Sequence, residues 1–267
     1  MRRPDPYETD KLLSEYLLFH YGASKDILPY PFGPVGALHF PVRCVTECLD
    51  VTRLPADARA LDLGCAVGRS SFELARWCPH VLGIDRSRRF VAAATTLVEI
   101  GQLIYPRTEE GRLTTPCVAR VPLEIERTRV TFVVGDAMQL PAGLGHFDVV
   151  LLANLIDRLA DPARCLAQLS SIVHTGGQLL ITSPYTWLEE FTPMEHWLGG
   201  FERAGRNVMT FDVLCRLLEP DFTLQAIKDL PFLIREHARK YQWGVAQASL
   251  WVRQGGMGGV GQTGRVE

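Results

Sequence analysis

The sequence predicts an α/β fold: a doubly wound, mostly parallel sheet with a C-terminal antiparallel hairpin strand and an N-terminal helical cover. Three observations carry that reading. Short apolar runs end in acidic or small residues at Ala60-Leu61-Asp62-Leu63-Gly64, Val81-Leu82-Gly83-Ile84-Asp85 and Val133-Val134-Gly135-Asp136-Ala137. Strand and helix patterns alternate over residues 60–186, as a parallel sheet requires. The chain from Phe222 to Arg253 reads as two antiparallel strands around a connection rich in charge and aromatics.

Residues 1–58 precede the first core strand. Glu8 to His20 has helical periodicity with Thr9 or Asp10 as its cap. Pro29, Pro31 and Pro34 then break the chain, and Pro41 to Leu49 reads as a second helix. In this fold such an extension lies over the ligand and closes the pocket. The main domain, 59–253, opens with a buried strand and the loop Gly64-Cys65-Ala66-Val67-Gly68. Gly64 and Gly68 leave room for a backbone-hugging ligand, and Ser70 or Ser71 can help start the next helix. Asp85 lies 21 positions after Gly64, where a carboxylate can accept both hydroxyls of a ribose. Arg86-Ser87-Arg88-Arg89 reads as a solvated helix start. An insertion at 101–129 interrupts the rhythm and is expected to be a lid or small excursion. Phe147 to Asn154 and His174 to Ile181 resume it as buried strands. From residue 254, six glycines among the last thirteen residues mark a flexible tail.

Composition excludes several partners. With 47% hydrophobic residues the chain can bury the core of one generous domain, and a net charge of −2 gives no footprint for nucleic acid. No apolar stretch approaches the ~20 residues of a membrane span, and the polar N-terminus lacks a signal core. Seven cysteines, an odd number with no Cys-x-x-Cys pair, suit free thiols in a reducing cytoplasm. Cys44 and Cys48 share a helix face without His or Cys partners, so no metal site is expected.

The loop also discriminates between nucleosides. Ala66 stands where the nicotinamide fingerprint Gly-x-Gly-x-x-Gly needs its middle glycine. Asp62 would meet the negative charges of a diphosphate but suits a cationic sulfonium or amino group. The pattern Asp62-x-Gly64-x-Ala66-x-Gly68 resembles motif I of the class I (Rossmann-like) S-adenosylmethionine-dependent methyltransferases. Segments 133–137, 147–154 and 174–181 resemble that family's third, fourth and fifth strands, in order. The resemblance implies S-adenosyl-L-methionine as cofactor and S-adenosyl-L-homocysteine as product. It implies Asp62 near the methionine ammonium, directly or through the Gly64 backbone, with Cys65, Ala66 and Gly68 in the same loop. Asp85 and Arg86 would face the ribose, Asp136 and Ala137 the adenine edge, and Asn154 the end of the fourth strand.

Four further segments are unusual for generic methyltransferases: 7–22, 153–159, 183–193 and 233–240. Together they resemble the 4-mercaptohistidine N1-methyltransferase family, which includes the C-terminal domain of the ovothiol-forming enzymes. The resemblance covers residues 7–253 and implies methylation of the π (N1) imidazole nitrogen of 5-thiohistidine to give ovothiol A. The chain lacks room for the sulfoxide synthase of the fused enzymes, which implies a separate partner enzyme that supplies the thiohistidine. Alignment of acceptor and methyl group supplies much of such a reaction's acceleration, and the ring nitrogen must present a lone pair.

Candidates exist for each task. Asn154, Asp157 and His237 are the catalytic candidates, His237 as base. Asp157 with Arg158 equally reads as a helix-start ion pair, and a lone histidine as a structural one. Tyr185, Trp187, Glu189 and Glu190 are candidates to wall the pocket and meet the substrate ammonium, and Arg235 to meet its carboxylate. Tyr7, Tyr16 and His20 are candidates from the cover, Tyr16 and His20 sharing a helix face. Competing readings are a methyltransferase for another small amine or amino acid, a cofactor-binding protein without chemistry, and a nicotinamide oxidoreductase disfavoured by Ala66 and Asp62.

Overall fold

The computed structural model describes residues 6–141 and 143–255. Three helices come first: α1 (Asp10–Tyr21), α2 (Ser24–Ile27) and α3 (Phe40–Thr46). Thr9 caps α1, its hydroxyl accepting from Leu12 N at 3.2 Å. The alternating core follows as β1 (Arg59–Leu63), α4 (Arg69–Leu74), β2 (His80–Asp85) and α5 (Arg88–Ile100). A hairpin, β3 (Gln102–Glu110) and β4 (Leu113–Arg120), precedes β5 (Val130–Val134), β6 (Phe147–Ala153), α6 (Pro162–Leu169) and β7 (Val173–Ser183). A small ribbon, β8 (Phe201–Arg203) and β9 (Arg206–Val208), leads to α7 (Thr210–Leu218), β10 (Phe222–His237) and β11 (Lys240–Arg253).

Seven strands form one sheet in the order β10-β11-β7-β6-β1-β2-β5. The pairs among β5, β2, β1, β6 and β7 are parallel, and β11 joins β7 antiparallel. Strand order reverses between β1 and β6, so a crevice opens at their carboxyl ends, where doubly wound sheets bind ligands. Both faces are covered. One apolar cluster joins Leu17, Phe19 and Phe40 to Phe72, Phe90 and Leu151, so the N-terminal helices share the core of the sheet. The other packs Leu61, Leu63, Val150 and Leu179 against Leu166, Leu214 and Trp251 beneath α6 and α7.

Two expectations change, and the insertion takes the form of a small excursion. The 101–129 insertion is a paired hairpin docked on β10: Ala238 N donates to Glu109 O at 3.1 Å and Arg235 Nη2 to Glu109 Oε2 at 2.6 Å. Ser70 and Ser71 do not cap α4, whose N-cap is Gly68; their hydroxyls bind Pro41 O and Asp62 Oδ2 instead. The second N-terminal helix begins at Phe40 and ends at Thr46 rather than reaching Leu49. The tail expected from residue 254 lies, beyond Gly255, outside the described residues, and Gln254 N still donates to Asp221 O at 2.8 Å.

Candidate active site

At the crevice between β1 and β6 lies a cavity of about 190 Å³. Its floor is built by backbone geometry. The loop after β1 turns through Gly64 and Ala66, both with positive φ (73° and 48°), and a Cβ at Gly64 would meet Leu155 Cδ1 at 2.7 Å. Gly68 is different. It caps α4 at φ 86°, and the Phe132 ring fills the place of its missing side chain. It does not line the cavity, so its service is packing rather than ligand contact.

Three carboxylates face this space. Asp62 is 1% exposed; Ser71 Oγ donates to its Oδ2 at 2.6 Å, while Oδ1 is buried without a hydrogen-bond partner among the described residues. Burial, reinforced by the charge of Asp85, pushes its pKa up to about 7. Asp85 is oriented by two main-chain donors, Ala66 N to Oδ2 at 2.9 Å and Ser87 N to Oδ1 at 2.8 Å. A carboxylate so held keeps lone pairs for hydroxyl donors. Asp136 accepts from Met138 N at 2.8 Å, an Asx turn that fixes it at the end of β5.

Asn154 ends β6 with φ 51°, in the left-handed region that asparagine tolerates. Its N–H donates to Thr182 O at 2.9 Å and to Thr182 Oγ1 at 3.1 Å, and that hydroxyl donates back to Asn154 Oδ1 at 3.0 Å. The side-chain amide is therefore held by its oxygen, and its N–H donors face no such constraint.

The roof comes from the N-terminal segment. Tyr7, Tyr16, Phe19 and His20 line the cavity with Phe40, Phe90 and Ile234. Tyr16 packs on Phe90 at 4.8 Å between ring centroids and stacks on His20 at 5.8 Å. Ser87 Oγ donates to Tyr7 O at 3.0 Å and Tyr21 OH to Val67 O at 2.8 Å, which tie the roof to the floor. Burial lowers the His20 pKa to about 3, helped by the nearby Arg69 charge, so His20 is neutral at working pH; its Nδ1 is buried without a partner among the described residues. Burial also lifts the Tyr7 hydroxyl above its ordinary value.

The structure thus brings together Tyr7, Tyr16, His20, Asp62, Gly64, Cys65, Ala66, Asp85, Arg86, Asp136, Ala137 and Asn154. The other expected residues do not line this cavity. Asp157 is fully buried, accepting from Thr186 N and Arg158 Nη1, and acts as an anchor. Tyr185 OH donates to Gln247 Oε1, and the Trp187 indole donates to Thr210 Oγ1 within the second core cluster. Glu189 and Glu190 are exposed. Arg235 is buried between Asp26 O and Glu109, tying α2 and β3 to β10. His237 sits at the hairpin turn, where Nδ1 accepts from Arg239 N at 3.2 Å. The ion-pair reading fits Asp157 and the structural reading fits His237, while partners distant in sequence hold Tyr185, Trp187 and Arg235.

Arg158, which the sequence offers only as a partner for Asp157, lines the cavity. So do Phe19, Phe40, Phe90 and Met138, apolar residues whose periodicity marks burial but not which buried face meets a ligand. The donor set fits the expected cofactor: the orphaned, buried Asp62 oxygen calls for a cationic group, and Asp85 and Asp136 accept hydroxyl and amino donors.

Comparison with known proteins agrees with this geometry. Residues 61–181, from β1 to β7, match a protein family described as a methyltransferase domain. The chain is 31% identical over 163 residues to magnesium-protoporphyrin O-methyltransferase of Rhodobacter capsulatus, covering 59% of each protein. It is 26% identical over 129 residues to ubiquinone biosynthesis O-methyltransferase of Aromatoleum aromaticum, 48% of this chain and 44% of that protein. The matches span less than two thirds of these relatives. The solved structure of the [4+2]-cyclase SpnF shares the fold at 18% identity, 77% coverage of this chain, 79% of that chain and a TM-score of 0.50. A fold shared with a protein named as a cyclase leaves the reaction to be argued from the site.

Proposed function

We propose that the chain is a class I S-adenosylmethionine-dependent methyltransferase, its residues 61–181 matching a methyltransferase-domain family, and that it methylates the π (N1) imidazole nitrogen of 5-thiohistidine to give ovothiol A. One observation carries the substrate assignment. Segment 7–22 bears the resemblance to the thiohistidine family, and the same segment supplies Tyr7, Tyr16, Phe19 and His20 to the cavity roof.

Bound S-adenosylmethionine supplies the electrophilic methyl group. Asp62, ionised, holds the cationic amino-acid end; Asp85 accepts the ribose hydroxyls, and Asp136 with Ala137 receives the adenine edge. The aromatic roof excludes water and suits a planar heterocycle. Neutral His20 offers a ring nitrogen as acceptor for the substrate N–H, and the Asn154 amide offers a donor to the ring or its sulfur. Thiolate is intrinsically the better nucleophile, so these contacts must select nitrogen by position. No protein base is required where the pocket favours the neutral ring nitrogen. A separate sulfur-inserting enzyme supplies the substrate, and the seven free thiols support a reducing, cytoplasmic setting.

A second reading rests on the relatives, both named O-methyltransferases: the acceptor is another small molecule, with oxygen or amine in place of the ring nitrogen. Product analysis decides. Protein, S-adenosylmethionine and 5-thiohistidine are mixed, with histidine and ergothioneine as controls. A product one methyl heavier, methylated on ring nitrogen with its thiol free, is expected. Methyl on sulfur, or tight cofactor binding without turnover, discards the substrate and keeps the domain assignment.

A further inference from the structure

We propose that Arg158 is the anion clamp of the substrate pocket, a specificity-determining residue that pairs with an anionic group on a planar heteroaromatic substrate. The inference rests on the proposed function and deepens it.

Arg158 is built as a preorganised cation. Its Nη1 donates to Asp157 O at 2.8 Å, Asp157 Oδ2 at 3.1 Å and Thr186 O at 2.9 Å. Asp157, whose side chain is 1% exposed, is itself fixed by Thr186 N at 2.9 Å. The guanidinium carbon lies 4.9 Å from the Phe191 ring centroid, and the group also meets the Tyr7 hydroxyl. Tyr7 in turn packs 6.2 Å from Phe191, so Arg158 is wedged between rings as well as anchored by a buried acid. These bonds to Asp157 and Thr186 all use one nitrogen, and a guanidinium carries donors on Nε and Nη2 as well. A fork held this way recognises a planar anion with little left to order on binding.

The charges on the cavity wall leave this role open. Asp62, Asp85 and Asp136 are assigned to the cofactor. Of the two arginines there among the described residues, Arg86 is exposed and lies over the Tyr7 ring at 5.7 Å, whereas Arg158 has a side-chain exposure of 26%. Arg235, the sequence's candidate for a carboxylate, is claimed by Asp26 and Glu109. In 5-thiohistidine the anion is the α-carboxylate or the thiolate, and one fork serves either.

The test is calorimetric binding to protein loaded with S-adenosylhomocysteine, for wild type, R158Q and R158K. Three probes separate the anions: 5-thiohistidine, 5-thiohistamine without the carboxylate, and histidine without the sulfur. R158Q is expected to weaken 5-thiohistidine about 30-fold. A matching loss with histidine, and none with 5-thiohistamine, identifies the carboxylate; the reverse pattern identifies the thiolate. R158K keeps the charge without the fork and is expected to lie between wild type and R158Q. Equal losses for all three probes, or none, overturn the clamp. Unchanged affinity for S-adenosylhomocysteine shows that a variant is folded, and where R158Q is not, the same comparison is read from R158K. If wild type binds none of the three, benzoate is compared with benzamide: Arg158-dependent preference for benzoate keeps the clamp and discards thiohistidine, and its absence overturns both.

Discussion

Burial of Asp62 lifts its carboxyl from 3.8 to about 7, and the sign of the consequence follows from which state holds the proton. The folded chain keeps that proton through pH values at which the unfolded chain has lost it. This contribution to stability is therefore present below pH 4 and lost as pH rises through 7. A cation bound beside Asp62 needs the ionised form, so cofactor affinity is expected to fall about tenfold per pH unit well below 7. Calorimetry at pH 6 in buffers of different ionisation enthalpy should detect a released proton, and D62N should abolish the release. Gly64→Ala probes the loop: positive φ and the 2.7 Å approach to Leu155 oppose any Cβ. A cost of roughly 1–3 kcal/mol in stability is expected, read by urea unfolding, with weakened cofactor binding. Thr182→Val frees Asn154 from the hydroxyl that orients it, and about a tenfold loss in kcat is expected with cofactor affinity unchanged. Steady-state kinetics checks it. Asp62, Gly64, Asp85 and Asn154 were legible in the sequence because each lies at or within one residue of the carboxyl end of a strand, and a strand end in a parallel sheet points at the crevice. Arg158 was not, since its neighbour Asp157 explains the charge pair without revealing which member is buried.

Individual elements were legible where their information is local. Thr9 caps α1 and Ser87 caps α5 through hydroxyls that accept from residues three positions on. The insertion was not: its strands carry no clean alternation, and Ile104 with Val118 remain exposed opposite each other. Buried Tyr105 and Ala119 pack it into the first apolar cluster, and a long-range ion pair, Arg235 with Glu109, 126 residues apart, ties it to β10. Glu109→Ala leaves the 3%-exposed Arg235 without its carboxylate, and a loss of about 3 kcal/mol is expected in urea unfolding. Cofactor affinity should not change, because no residue of the hairpin lines the cavity. A parallel loss of affinity would show that the hairpin couples to the site.

The whole molecule joins three sequence regions at one crevice. The parallel core supplies the floor, the N-terminal segment the roof, and β10 closes the wall through Ile234. Because roof and floor share one apolar cluster, a ligand between them should stabilise the fold as a unit. S-adenosylhomocysteine at 100 times its Kd is expected to add about 2.7 kcal/mol, a rise in Tm of roughly 5–10 °C for a chain of this size. Asp85→Ala should reduce that shift at fixed ligand concentration by weakening the ribose contact; an undiminished shift would remove the ribose assignment.

The sequence by itself determined the order and type of the core elements, the glycine-bearing loop and the acids at three strand ends. Those follow from periodicities of two and 3.6 residues and from turn chemistry, which act within a few positions of chain. Only the tertiary structure decided which polar side chains reach the cavity. It consumed Arg235 between α2 and β3, turned Trp187 into the core, left His237 at a hairpin turn, and aimed Arg158 inward. A charge in the interior must find a partner wherever packing brings one, and packing joins residues whose separation no local pattern records.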